Sequence, residues 1–371
     1  MSACRRLLRR LLFSSVLTLL AGGVLVTPAP ALANGEGYAQ TNLVSDLSGA
    51  KFTDTNLKNP WGIVHGPSTP WWVADNNGHV STLYDGTGAP RPLVVKIPAP
   101  GATSGGAPTG VVFNGKAGDF KVSDGTTKDS SLFIFATEDG TIVGWSPTVS
   151  LPQAFIAVDN SPGGAVYKGL AIAQAEGAQN LYATNFRAGT VDVFDSSFKP
   201  VKRMGAFTDS KVPADFAPFG IQTIGERIYV TYAKQKPDKH DDQSGSGFGF
   251  VDVFNTEGKL LKRLIRHGKL NSPWGLAVAP ENFGEFSGDL LVGNFGDGRI
   301  NAYDRRSGEF AGTLRKPDGK PVVIEGLWGI GFGNGNAAGP KNTLFFAAGI
   351  NGEADGLFGT LKAVGEAESN N

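Results

Sequence analysis

Cysteine is almost missing from this sequence: Cys4 is the only one in 371 residues. Because Cys4 falls in an N-terminal segment that reads as a leader, the rest of the chain offers no disulfide, thiolate metal centre or cysteine nucleophile. Charge is sparse as well, at 18% of residues, with 34 basic against 34 acidic side chains and no basic stripe. That balance argues against nucleic acid as a partner. There are four histidines, His65, His79, His240 and His267, and none stands in an HExxH spacing. No serine sits in a GxSxG context, so neither a zincin helix nor a nucleophile elbow is encoded. Beyond Val26 no apolar run approaches the ~20 residues needed to span a bilayer.

The leader has three parts. Arg5, Arg6, Arg9 and Arg10 form a basic region, Leu11 to Val26 an apolar one, and Ala31-Leu32-Ala33 a small-residue cleavage site. Residues 1–33 are therefore expected to be a signal peptide, and the mature product to be exported, to the periplasm or the medium, without a membrane span. Four of the basic residues and none of the acidic ones lie in this segment, so the remainder carries an acidic excess of four.

What the chain has in abundance is glycine, 52 residues, with 22 prolines. This composition points away from helices and towards an all-β fold. A short pattern recurs along it: WGIV at Trp61, TGVVF at Thr109, KGLAI at Lys168, FGIQT at Phe219, WGLAV at Trp274 and WGIGF at Trp328. Its glycines, from Gly62 to Gly329, are spaced by 48, 59, 51, 55 and 54 residues. Each copy continues into β-rich runs joined by DG, NG or AG turns, such as LFIFATEDGTIVGW and LYATNFRAGTVDVF, and then a further apolar segment. Six copies of about this length imply a six-bladed β-propeller with four-stranded blades. The last copy is one strand short, and the segment from Tyr38 is expected to complete it, closing the ring. The propeller domain should thus span 38–364, followed by a polar tail, 365–371.

The WGI starts followed by LYATNF or LLVGNF resemble NHL-type and YVTN-type propeller repeats, and more distantly the SMP-30/gluconolactonase group of metal-dependent hydrolases. NLKNPWGI, the YAK…HDD…GFVDVF segment and SPWGLAVAP resemble a family of secreted bacterial propellers without assigned function, some of which carry a PEP-CTERM sorting signal that this chain lacks. The SMP-30 resemblance implies Asn, Asp or Glu immediately before the innermost-strand glycines as ligands for a catalytic cation such as Ca²⁺. This chain departs from that pattern, with Trp61, Thr109, Lys168, Phe219, Trp274 and Trp328 in those places.

In a propeller the start of each innermost strand and the loop between second and third strands open on the same mouth. The residues before the glycines should therefore meet the loop tips: Asp75, Asn76 and Asn77; Glu138 and Asp139; Asn185 and Arg187; Asn294 and Asp297; Asn351, Glu353 and Asp355. A charged, glycine-containing insertion, Lys234 to Phe248, interrupts the fourth copy and should hang over this mouth as a lid or ligand loop. Candidate ligand contacts are Trp61, Trp274, Trp328, Phe219, Lys168, Asn185, Arg187, Lys234 and Asn294, an aromatic floor with a polar rim. Candidate metal ligands are Asp75, Glu138, Asp241, Asp242 and Asp297, which as oxygen donors would suit Ca²⁺. His240, beside Asp241 and Asp242, is the candidate general base. Three functions remain open on these residues: binding of a small molecule, glycan or peptide; metal-dependent hydrolysis of an ester or lactone; and a structural or adhesive role.

Overall fold

A computed structural model describes residues 36–365. The expected leader, and the tail beyond Gly365, lie outside the described residues. Six sheets stand around one axis. The first comprises Pro60–Val64, Trp71–Asp75, Val80–Tyr84 and Val95–Lys96; the second Pro108–Phe113, Phe133–Thr137, Thr141–Trp145 and Phe155–Asp159. The fourth runs Phe216–Ile224, Arg227–Lys234, Phe250–Phe254 and Leu260–Arg266; the fifth Pro273–Val278, Leu290–Asn294, Ile300–Tyr303 and Phe310–Thr313. The fold is a six-bladed β-propeller.

Two blades depart from four strands. The third has three, Tyr167–Ala175, Ala178–Asn185 and Thr190–Asp195. Its outer segment reverses at Phe198, which has a positive φ of 61°, and forms the isolated bridge Phe194↔Pro200, with Val201 N–H donating to Val193 O at 2.8 Å, without continuing into a fourth strand. In the sixth, Leu327–Phe332, Thr343–Gly349 and Asp355–Val364 are joined by the N-terminal strand Gly37–Ser45, antiparallel to Asp355–Val364, and then by Phe52–Thr53. The ring is closed by the leading strand, as the incomplete last repeat required. A small hairpin, Lys121–Ser123 with Lys128–Ser130, decorates the second blade and has no counterpart in the repeat.

The repeated glycines explain how the blades meet at the axis. A Cβ on Gly220 would lie 2.1 Å from the carbonyl oxygen of Trp274, and one on Gly329 would lie 2.5 Å from that of Trp61, across the closing seam. Gly62 and Gly275 stand equally close to Thr109 and Trp328. Only a residue without a side chain lets each innermost strand approach the next this closely. Threonine hydroxyls fasten several of these seams: Thr109 Oγ1 donates to Tyr167 O at 2.9 Å, Thr184 Oγ1 to Phe219 O at 2.7 Å, and Thr231 Oγ1 to Pro273 O at 2.6 Å.

Burial follows the strand period of two. Trp71 packs towards the sixth blade with Phe345 and Phe358, whereas its neighbour Trp72 packs towards the second with Phe133 and Trp145. Six apolar cores fill the six spaces between blades, and a seventh cluster, Trp61, Phe186, Ala217, Phe219, Ala233 and Trp328, lies on the axis. This aromatic plug separates two mouths. One is an apolar vestibule of about 520 Å³ lined by the far ends of the innermost strands. The other is polar.

Candidate functional site

The polar mouth is a cavity of about 560 Å³ to which all six blades contribute. Its floor is the top of the plug. Trp328 is sandwiched between Trp61, at 3.5 Å between ring centroids, and Phe295, at 4.0 Å, both nearly parallel to it. Asn59, buried and held at a positive φ of 45°, accepts a hydrogen bond from Trp328 Nε1 at 3.2 Å and donates one to Glu353 Oε2 at 2.8 Å. The indole Nε1 of Trp61 is buried without an acceptor.

Lys168 rises from the start of the third blade into this floor and is only 2% exposed. An ammonium so far from water needs compensation. It donates to Glu138 Oε1, lies 3.7 Å from Asp241 Oδ1, and sits 5.0 Å above the Trp61 ring. Glu138 in turn accepts from Asn76 Nδ2 at 2.9 Å. His240 Nδ1 lies 2.8 Å from Asp241 Oδ1, and Lys236 Nζ 3.8 Å from Asp241 Oδ2.

The insertion therefore reaches the mouth through Lys236 and His240 to Ser244. It is a pinned extension of its hairpin. Lys236 N–H donates to Asp241 O at 2.9 Å and Gln243 N–H to Lys234 O at 2.7 Å. From outside, Gln235 Nε2 donates to Phe186 O and Gly245 N–H to Asn271 Oδ1, which leaves the glycine amide unavailable to an anion.

Four carboxylates face the cavity, and their environments differ. Burial works to raise Asp241, but the hydrogen bond from His240 and the charge of Lys168 outweigh it and hold the group below its ordinary value. Asp242 is held above its ordinary value by burial, against relief from Ser272 and Lys168. Glu353 is raised by burial as well; Asn59 opposes this, while the charges of Glu138 and Asp242 add to it. Glu353 stands on a turn where Asn351, Gly352 and Glu353 itself all have positive φ.

Of the nine candidate ligand contacts, Trp61, Lys168 and Trp328 line this cavity. Phe219 is fully buried beneath it, and Trp274 joins the plug, its Nε1 donating to Lys168 O at 3.1 Å. Asn185 and Asn294 turn inward, Asn185 onto Asp192 of its own hairpin at 3.0 Å and Asn294 onto Asp297 of its own loop at 3.0 Å and Lys269 O of the preceding connection at 2.7 Å. Lys234 pairs with Asp215 over the Phe248 ring, and Arg187 lines a separate cavity of about 250 Å³ on the flank. Among the metal candidates, Glu138, Asp241 and Asp242 line the mouth. Asp75 is fully buried and accepts the Thr82 N–H at 3.0 Å, and Asp297 accepts the Arg299 N–H at 3.2 Å. Residues at the ends of second strands were placed at the mouth by position, yet their side chains satisfy the N–H groups and amides of the turn that follows. Asn59 and Phe295 were missed. The paired Asn-Phe of LYATNF and LLVGNF could have revealed Phe295, since Phe186 and Phe295 both pack on the plug.

Glu138, His240 and Asp241 bring their ligand atoms within 4.8 Å of one another, as a metal site would. The set nevertheless does not fit a resident Ca²⁺, because the Lys168 ammonium already stands against the carboxylate oxygens of two of the three.

No protein-family model matches the sequence. Uncharacterized proteins of Acanthamoeba polyphaga mimivirus do, among them R648, which is 33% identical over 327 residues, covering 84% of this chain and 76% of that protein. L690 is 33% identical over the same length, covering 84% and 82%. The chain belongs to the family of these mimivirus proteins. The relatives are viral, where the sequence motifs resembled a bacterial secreted group. Among solved structures, an auxiliary nutrient binding protein from Bacteroides ovatus superposes with a TM-score of 0.55 at 11% identity, covering 88% of this chain and 77% of that one. A glucose dehydrogenase gives 0.52 at 12%, covering 89% and 100%. A streptogramin B lyase gives 0.51 at 12%, covering 89% and 98%. At such identities the likeness establishes the propeller fold alone.

Proposed function

We propose that this protein binds a small polar molecule, or the terminal residue of a glycan or peptide, at the polar mouth of the propeller, and that it does so after export. One observation carries the binding reading: groups from all six blades, otherwise far apart in sequence, converge on one cavity whose aromatic floor is sealed and whose walls are polar. The export reading rests on the basic and apolar leader sequence. The test is thermal melting of the protein against a panel of sugars, amino acids and short peptides, repeated on Asn77→Trp, which fills the exposed rim without touching a core. A panel member that raises the melting temperature of the wild type but not of the variant supports the reading. A panel that leaves the wild type unmoved, or moves both proteins alike, refutes it.

A second reading, divalent-cation-dependent hydrolysis of an ester or lactone, is favoured by the Glu138, His240 and Asp241 cluster and opposed by Lys168. EDTA followed by restored Ca²⁺ decides between them. With the lysine ammonium as the standing cation, the melting temperature should stay within about 1 °C. A loss of several degrees that Ca²⁺ restores would establish the second reading.

A further inference from the structure

Deepening the binding reading, on which it rests, we infer that the ligand carries a protonated amine beside hydroxyl groups, in the manner of an amino sugar, and that the amine sits between Asp242 and Glu353. The inference begins with the charges facing the cavity. Glu138, Asp241, Asp242 and Glu353 are negative; Lys168 and Lys236 are positive, and His240 is engaged with Asp241. The two ammonium groups are already assigned, Lys168 to Glu138 and Asp241, Lys236 to Asp241. Asp242 and Glu353 have no cation within ion-pair distance among the described residues.

Both of these carboxylates are sheltered from water. Asp242 is 8% exposed and is met by hydroxyls, that of Ser244 at 3.4 Å and that of Ser272; Glu353 accepts from Asn59 through one oxygen alone. Both line the same mouth, Asp242 from the insertion and Glu353 from the strained turn of the sixth blade, and the charge of Asp242 adds to what burial does to Glu353. A cation between them relieves both the burial and the repulsion, and a charge-assisted hydrogen bond from an ammonium satisfies their open oxygens. The second requirement comes from the rim, where Asn77 and Gln243 line the cavity with side-chain amides suited to hydroxyls. A carboxylate-bearing ligand would meet this acidic pair and be repelled.

Calorimetric titration with D-glucosamine, D-glucose and D-glucuronate is the test. Glucosamine should bind, glucose at least about tenfold more weakly, and glucuronate not measurably. Glu353→Gln and Asp242→Asn, each checked for an unchanged melting profile, should reduce glucosamine affinity at least about fivefold and leave glucose within about twofold. The wild-type ordering stands even where a variant misfolds. Glucose binding as tightly as glucosamine, or glucuronate binding best, overturns the amine while leaving the mouth a ligand site. Absence of binding by all three also overturns the amine; the panel with Asn77→Trp decides the broader reading separately.

Discussion

Replacing Lys168 by methionine removes the charge that the mouth is built around while nearly preserving the volume of the side chain. The lysine is 2% exposed and pairs with Glu138, whose side chain is 14% exposed. Its removal leaves that carboxylate with Asn76 alone, in a cavity that holds three others. Deleting one partner of a buried pair costs about 3–5 kcal/mol, and the half-open cavity argues for the lower figure, about 3 kcal/mol. In a chain of this size that corresponds to a fall of roughly 4 °C in melting temperature. The assay is denaturant unfolding of Lys168→Met, Glu138→Gln and the double variant, from which the coupling between the two sites is extracted. The double variant should recover most of the loss, because neither charge is then left unpaired. A single-variant cost below about 1 kcal/mol together with a coupling below about 0.5 kcal/mol would refute the view that Lys168 is the mouth's internal counter-ion.

Two further outcomes follow from the architecture. Gly220→Ala places a Cβ 2.1 Å from Trp274 O and should destabilise by about 3 kcal/mol or more, whereas Gly163→Ala, with open space around it and an ordinary φ, should be neutral or slightly stabilising; equal effects in thermal melting would remove the close-approach argument. Asp252 is pushed up to about 7 by burial, with Asp209 adding and Arg263 and Arg266 opposing. Its folded state thus binds a proton that the unfolded chain releases near pH 4, so wild-type stability should fall between about pH 4 and 7 and level off above. Asp252→Asn should lack that slope and gain roughly 4 kcal/mol relative to wild type across the window; parallel pH profiles would refute the assignment.

Much of the fold was legible because a propeller writes itself several times. Gly62, Gly110, Gly169, Gly220, Gly275 and Gly329 recur since every seam needs the same close approach, and the shortfall after Asp355–Val364 pointed to Gly37–Ser45 as the closing strand. The third blade was less legible: its outer segment stops at the bridge Phe194↔Pro200, whereas the first blade, with the equivalent bridge Tyr84↔Pro90, goes on to pair a fourth strand. At the mouth, Glu138, Lys168, Asp241, Asp242 and Glu353 were placed by topology alone. Asp75, Asn185 and Asn294 were placed there too, yet they turn into their own loops, because a second-strand end must satisfy its turn before it can offer anything to the axis.

What the amino-acid sequence determined by itself was periodic: the number of blades, the pole at which the insertion emerges, and the residue types available there. Period and pole follow from hydrogen-bonded strand pairing and glycine contacts, which repeat locally and leave a mark at every copy. Which side chains pair was decided only by the tertiary structure. Lys168 meets Glu138 across two blades, and Asn59 links Trp328 to Glu353, between residues nearly 300 positions apart. Such partners are chosen by the closing of the ring, since burial makes an unpaired charge costly only once the surrounding blades have excluded water.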